Sequence, residues 1–104
     1  MEDKGNFEES GTDTVGKEKE GTPPLFKVLM HNDDYTTMEF VINMLETVFH
    51  KSAFEANRIM LNIHHKGVGI CGIYPFEVAE TKTDRVHRIA REEGFPLRCS
   101  VEEV

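Results

Sequence analysis

Leu25-Phe26-Lys27-Val28-Leu29-Met30 runs into Asn32-Asp33-Asp34-Tyr35 and then into Thr36-Thr37-Met38-Glu39. The first run alternates, with Phe26, Val28 and Met30 on one side, and reads as a strand. The second is turn chemistry, because Asn and Asp side chains bond their own backbone. The third fits a capping box, Thr-x-x-Glu, opening a helix at Thr36. Val41, Met44, Leu45 and Val48 follow at helical spacing and form its apolar stripe. A strand, a polar joint and an amphipathic helix therefore meet within about two dozen residues.

Working toward the C-terminus, Ser52-Ala53-Phe54-Glu55 is a second capping box. Its helix should reach about Lys66, with Ala56, Ile59, Met60 and Ile63 inward and Gly67 as the stop. Val68 to Tyr74 reads as a strand holding Gly69 and Gly72. Pro75 suits the first turn of a third helix ending near Glu93 before Gly94, and Pro96 to Val101 closes with a strand. The order β-α-α-β-α-β with so few strands implies an α+β fold, a small sheet covered on one face by helices.

Toward the N-terminus the composition changes near Thr22. Residues 1–22 hold seven acids, three bases, four glycines and only three apolar side chains. Such a segment buries too little to offset its ordering entropy and is expected to be a flexible acidic tail, leaving 23–104 as one domain. The whole chain of 104 residues carries 19 acids and 12 bases, net charge -7, which disfavours a nucleic-acid backbone as partner. No apolar run approaches the ~20 residues of a membrane span, and the polar start Met1-Glu2-Asp3-Lys4 has no signal-peptide character. The two cysteines form no CxxC pair, so buried free thiols and a cytoplasmic setting are expected.

Several clusters have chemical potential. Asn32-Asp33-Asp34 can cap the helix that follows, or can gather acceptors around a cation. His64-His65 ends the second helix, where the dipole favours a positive ring. His64 borders the apolar stripe and can stand at the lip of a pocket. Asp33, Asp34, His64 and His65 contain metal-ligand types, but no HxxxH or HExxH spacing exists, so no metal and no cofactor are expected. Gly67-Val68-Gly69-Ile70-Cys71-Gly72 matches GxGxxG in letters only, because it follows a helix and enters a strand. On the third helix, Lys82 falls on the inward stripe between Ala79 and Val86. It either snorkels or docks a partner together with Glu77.

Taken in order, Asn32-Asp33-Asp34-Tyr35-Thr36, Met38-Glu39-Phe40-Val41, Met60 to His64 and Val78-Ala79-Glu80-Thr81-Lys82 resemble the ClpS family, from about Pro24 to Glu103. That family comprises adaptors of the Clp AAA+ protease that deliver N-degron substrates. The resemblance implies a three-stranded antiparallel sheet under three helices, like the C-terminal domain of the ribosomal stalk protein. It implies a non-catalytic, monomeric adaptor that binds an N-terminal Leu, Phe, Tyr or Trp and docks on the N-terminal domain of a ClpA- or ClpC-type ATPase. By the same resemblance, Asn32, Asp33, Asp34 and His64 hold the α-amine, Thr36, Met38, Val41, Met60, Ile63, His64 and Leu97 line the side-chain pocket, and Glu77 and Lys82 dock the unfoldase. Thr37 stands where many members have proline. Ile63 stands where valine is common, and its extra methylene should narrow the pocket against Trp more than against Leu. Two other readings stay open on the residues alone: a small metal-dependent enzyme, and a stalk-like interaction module without a peptide pocket.

Overall fold

The computed structural model describes residues 21–104, so all but the last two residues of the acidic tail lie outside the described residues. The elements are β1 (Leu25–His31), α1 (Met38–Thr47), α2 (Ala53–Lys66), β2 (Val68–Pro75), α3 (Phe76–Glu92) and β3 (Arg98–Glu103). Both β2 and β3 pair antiparallel with β1, giving the sheet order β2-β1-β3. The β-α-α-β-α-β order and the α+β class stand as expected.

Alternation decides which face is covered. Val28 and Met30 of β1, Cys71 of β2 and Cys99 of β3 are buried, while Lys27, Leu29, Ile70 and Ile73 are not. The three helices lay Leu45, Ile59, Ile63, Ala79, Val86 and Ala90 over the buried face, and one continuous core results. Each fully buried aliphatic side chain there contributes roughly 1.5–3 kcal/mol.

β2 carries an irregularity that spacing did not reveal. Val28 faces Gly72 and Leu29 faces Ile70, which leaves Cys71 as the extra residue of a bulge. Without that insertion, Tyr74 and Ile73 would exchange faces. Gly69 has a separate cause. A Cβ there would lie 2.7 Å from Ile63 Cγ1, so only glycine lets β2 approach α2 this closely.

The helix ends correct two expectations. Thr37, not Thr36, caps α1, its hydroxyl accepting the Phe40 N–H at 3.1 Å. A proline at 37 would offer no such acceptor. Ser52 caps α2 as expected, accepting the Glu55 N–H at 3.2 Å, and Gly67 ends it at φ 89°. Pro75 closes β2 and precedes the first turn of α3 instead of lying inside it. β3 begins at Arg98, two residues later than expected, and continues through Glu103, which pairs with Phe26.

Candidate functional site

The joint between β1 and α1 is folded around one carboxylate. Asp33 Oδ1 accepts the N–H of Tyr35 at 2.8 Å and that of Thr36 at 2.7 Å, and Oδ2 accepts the Thr36 hydroxyl at 2.8 Å. Thr36 is thereby held outside the helix, which is why the cap passes to Thr37. Burial acts to raise the Asp33 carboxyl, but the Thr36 and Tyr35 donors, with Arg91 behind them, outweigh it and hold it below its ordinary value. The group therefore stays ionised well below neutral pH. Asp34, Tyr35 and Asn32 are exposed beside it.

A second set of bonds ties this loop to the end of α2. The Asn32 N–H donates to the Gly67 carbonyl at 2.9 Å, while the Gly67 N–H donates to the Ile63 carbonyl at 2.9 Å. Two main-chain bonds thus place His64, one residue after Ile63, across from the three acceptors. From the far side, Arg91 Nη1 donates to the carbonyls of Phe95 at 2.9 Å and Leu97 at 3.0 Å. That clamp seats the Phe95 ring 5.0 Å from Phe40 in the first turn of α1. Arg91 is not among the site residues expected from the sequence. Its clamp depends on a turn at Gly94 that brings the chain back, and no spacing rule announces that.

Between loop and helix lies a cavity of about 260 Å³ lined by Asn32, Asp33, Asp34, Thr36, Met38, Val41, Met60, Ile63 and His64. Its volume falls below the ~300–1,000 Å³ usual for drug-sized ligands and suits a single side chain. The rim is polar on one side. The wall is apolar, with Val41, Met60 and Ile63 at 7%, 7% and 2% exposure and Met38, at 45%, standing at the mouth. Nine of the residues expected here are thus gathered in one place. Leu97 is not: it is 1% exposed, packed in the core with its carbonyl held by Arg91, and it does not line the cavity.

Glu77 and Lys82 lie elsewhere, together. With Val78, Thr81 and Arg85 they line a shallow groove of about 290 Å³ on α3. Lys82 Nζ donates to the Val48 carbonyl at 2.7 Å and stands 5.3 Å from the centre of the Tyr74 ring. Burial, then Arg85, pushes its ammonium below the ordinary lysine value. Among the described residues no group of three or more His, Cys, Asp or Glu side chains could hold a metal ion, and no helix is long and apolar enough to cross a membrane.

The chain is similar to known proteins over most of its length. The family model described as "ATP-dependent Clp protease adaptor protein ClpS" matches residues 21–100. The chain belongs to the ClpS family. It is 60% identical over 89 residues to the ClpS adapter of Desulfatibacillum aliphaticivorans, an overlap of 86% of each chain. It is 62% identical over 82 residues to that of Nitratidesulfovibrio vulgaris strain Miyazaki F, covering 79% of this chain and 82% of the relative. Among solved structures, Agrobacterium tumefaciens ClpS2 bound to L-phenylalaninamide superposes with a TM-score of 0.77 at 36% identity, covering 80% of this chain and all of that one. The ClpS fold expected from the motifs is therefore the one observed, and the chain is an adaptor of the ATP-dependent Clp protease.

Proposed function

We propose that this ClpS adaptor binds proteins through an N-terminal Leu, Phe, Tyr or Trp bearing a free α-amine. It then delivers them, as a monomer and without catalysis of its own, to a ClpA- or ClpC-type unfoldase for degradation. The carrying observation is the joining of a carboxylate- and amide-rimmed lip to an apolar cavity sized for one side chain. A polypeptide start offers both matching features: an ammonium with three donors and, beside it, the first side chain. The Agrobacterium relative supports the reading, because L-phenylalaninamide has a free amine, an aromatic side chain and no carboxylate.

In this reading Asn32, Asp33, Asp34 and His64 receive the ammonium, and Thr36, Met38, Val41, Met60 and Ile63 surround the side chain. Asp33 is already spoken for on three sides by its own loop, which fixes it and leaves Oδ2 with a remaining lone pair for the guest. A charge-assisted hydrogen bond contributes roughly 1.5–3 kcal/mol, and burial of one large apolar side chain about as much. Association costs about 4 kcal/mol or more, so the side chain alone does not suffice. Met38 at the mouth should obstruct β-branched Ile and Val. Glu77 and Lys82 on α3 serve as the docking surface for the N-terminal domain of the ATPase.

Fluorescence anisotropy with a short Leu-initiated peptide tests the reading. The free-amine peptide should bind, and its Nα-acetylated twin should show no measurable binding with or without chelator. Equal binding of the two would overturn it, and binding that needs added metal would favour a metal-dependent site instead.

A further inference from the structure

The cavity lies on one flank of α2. The other flank faces β2 across a groove of about 590 Å³, with Lys51, Arg58 and Lys66 on one wall and Val68, Ile70 and Ile73 on the other. β2 is an outer strand of the β2-β1-β3 sheet, so its second edge borders this groove. Val68, Ile70 and Ile73 are 36%, 48% and 50% exposed. The one acid lining the groove, Glu55, is bridged by Arg58 at 2.7 Å, and among the described residues no ion pair engages Lys51 or Lys66. An outer strand with apolar side chains and cations behind it is a template for an extended acidic chain.

The protein carries such a chain. Residues 1–20 hold seven acids against three bases. They join the domain through Gly21-Thr22-Pro23-Pro24 at Leu25, which pairs with Pro75 at the end of β2. Four extended residues span about 13 Å, and two strand spacings, the step from β1 past β2, take only about 9.5 Å. Prolines at 23 and 24 favour the extended form that the crossing needs. A linker of this length is long enough to bring a segment preceding Gly21 to the β2 edge at Ile73, and 20 residues exceed the run from there to Val68.

We propose that the acidic segment preceding Gly21 docks in cis in the α2–β2 groove, lying along the outer edge of β2 with its carboxylates toward Lys51, Arg58 and Lys66. This site is separate from the peptide cavity and stands or falls without it.

The test uses the full chain with Ser10→Cys carrying a nitroxide. Cys71 and Cys99 are buried and their thiols raised, that of Cys99 to about 12, so the label goes to position 10. With the label oxidised, the backbone amides of Val68 to Ile73 should lose most of their intensity relative to the reduced sample. Lys51→Glu with Lys66→Glu should restore it, as should rising salt. Loss centred on α3 or the peptide cavity, loss spread evenly, or no loss at β2 would each overturn the proposal, and the unsubstituted labelled chain alone decides this. Loss at β2 that charge reversal leaves unchanged would also overturn it. So would loss that persists when isotope-labelled chains are mixed with separately spin-labelled ones, since the occupant would then be a second copy.

Discussion

The lip of the Asn32–His64 cavity and the surface around Lys82 both set charge beside apolar area, yet they are built in opposite ways. In the cavity the charge is fixed: Asp33 is held by three donors within its loop, and the loop is hung on α2 through Gly67. The apolar part is recessed, with Ile63 at 2% exposure. On α3 the apolar part, Val78, is 41% exposed, and the charges sit on a convex helix face above a shallow groove. A recess with fixed charge can discriminate a small group by its shape and ionisation. A convex strip cannot, but it can meet the broad surface of another folded protein.

The largest expected effect lies on the recessed side. Asp33→Ala with Asp34→Ala should weaken binding of a free Leu-peptide by about 100-fold or more, because charge-assisted bonds of about 1.5–3 kcal/mol each disappear. Capture of the ATPase N-terminal domain should be unchanged in a pull-down. If both activities fall together, the two regions are not independent.

Gly69→Ala comes next and strikes the cavity from behind. The new methyl would crowd Ile63 at 2.7 Å, and Ile63, branched at Cβ, can yield only by shifting its wall of the cavity. The cost in stability should be about 1–3 kcal/mol by thermal melting. Affinity for a Phe-peptide should fall further than for a Leu-peptide, and an unchanged ratio would mean that Ile63 does not set the cavity's width.

Lys82→Ala should separate the regions in the other sense, removing ATPase capture while leaving peptide affinity within about twofold. Losing the bond to the Val48 carbonyl at a half-exposed site should cost about 1 kcal/mol in a denaturant melt.

The smallest effect concerns how α3 is fastened to the sheet. The Cys99 N–H donates to His87 Nε2 at 2.9 Å, which requires that nitrogen to be unprotonated. Burial and then Arg91 lower the His87 pKa, and burial and then Arg98 lower that of His31. With folded values below the unfolded one, their contribution is complete above about pH 6.5 and declines as pH drops through that value toward the folded pKa. The urea midpoint should therefore fall between about pH 7.5 and about pH 5.5, and His87→Gln, which keeps an acceptor, should flatten the fall. An unaltered slope would remove His87 from the account.

Much of this architecture was readable from periodicity. The Phe26-Val28-Met30 face, the Ser52 cap and the Gly67 stop follow from local rules and were placed correctly. What escaped was settled between segments. Thr36 and Thr37 are alike as caps, and the choice fell to Thr37 only because Asp33 takes Thr36. The Cys71 bulge depends on how β2 meets β1, and the crowding at Gly69 depends on how β2 meets α2. For the site, local polarity and the family motifs together located nine cavity residues. Leu97, placed with them by family resemblance, is packed in the core with its carbonyl held by Arg91 and is not among the side chains that line the cavity, a position that no local pattern reveals. Lys82 stood out in the sequence as a charge on an apolar stripe, but its tie to Val48, 34 positions away, was invisible.

The fastening of Asn32 to Gly67 is made wholly of main-chain atoms. Side chains around it can therefore be exchanged in the course of descent without loosening the hinge point from which the loop hangs. If the cavity reads a first residue as proposed, altering Met38 or Ile63 alone would retune which ones fit, while the loop that carries Asp33 keeps its place.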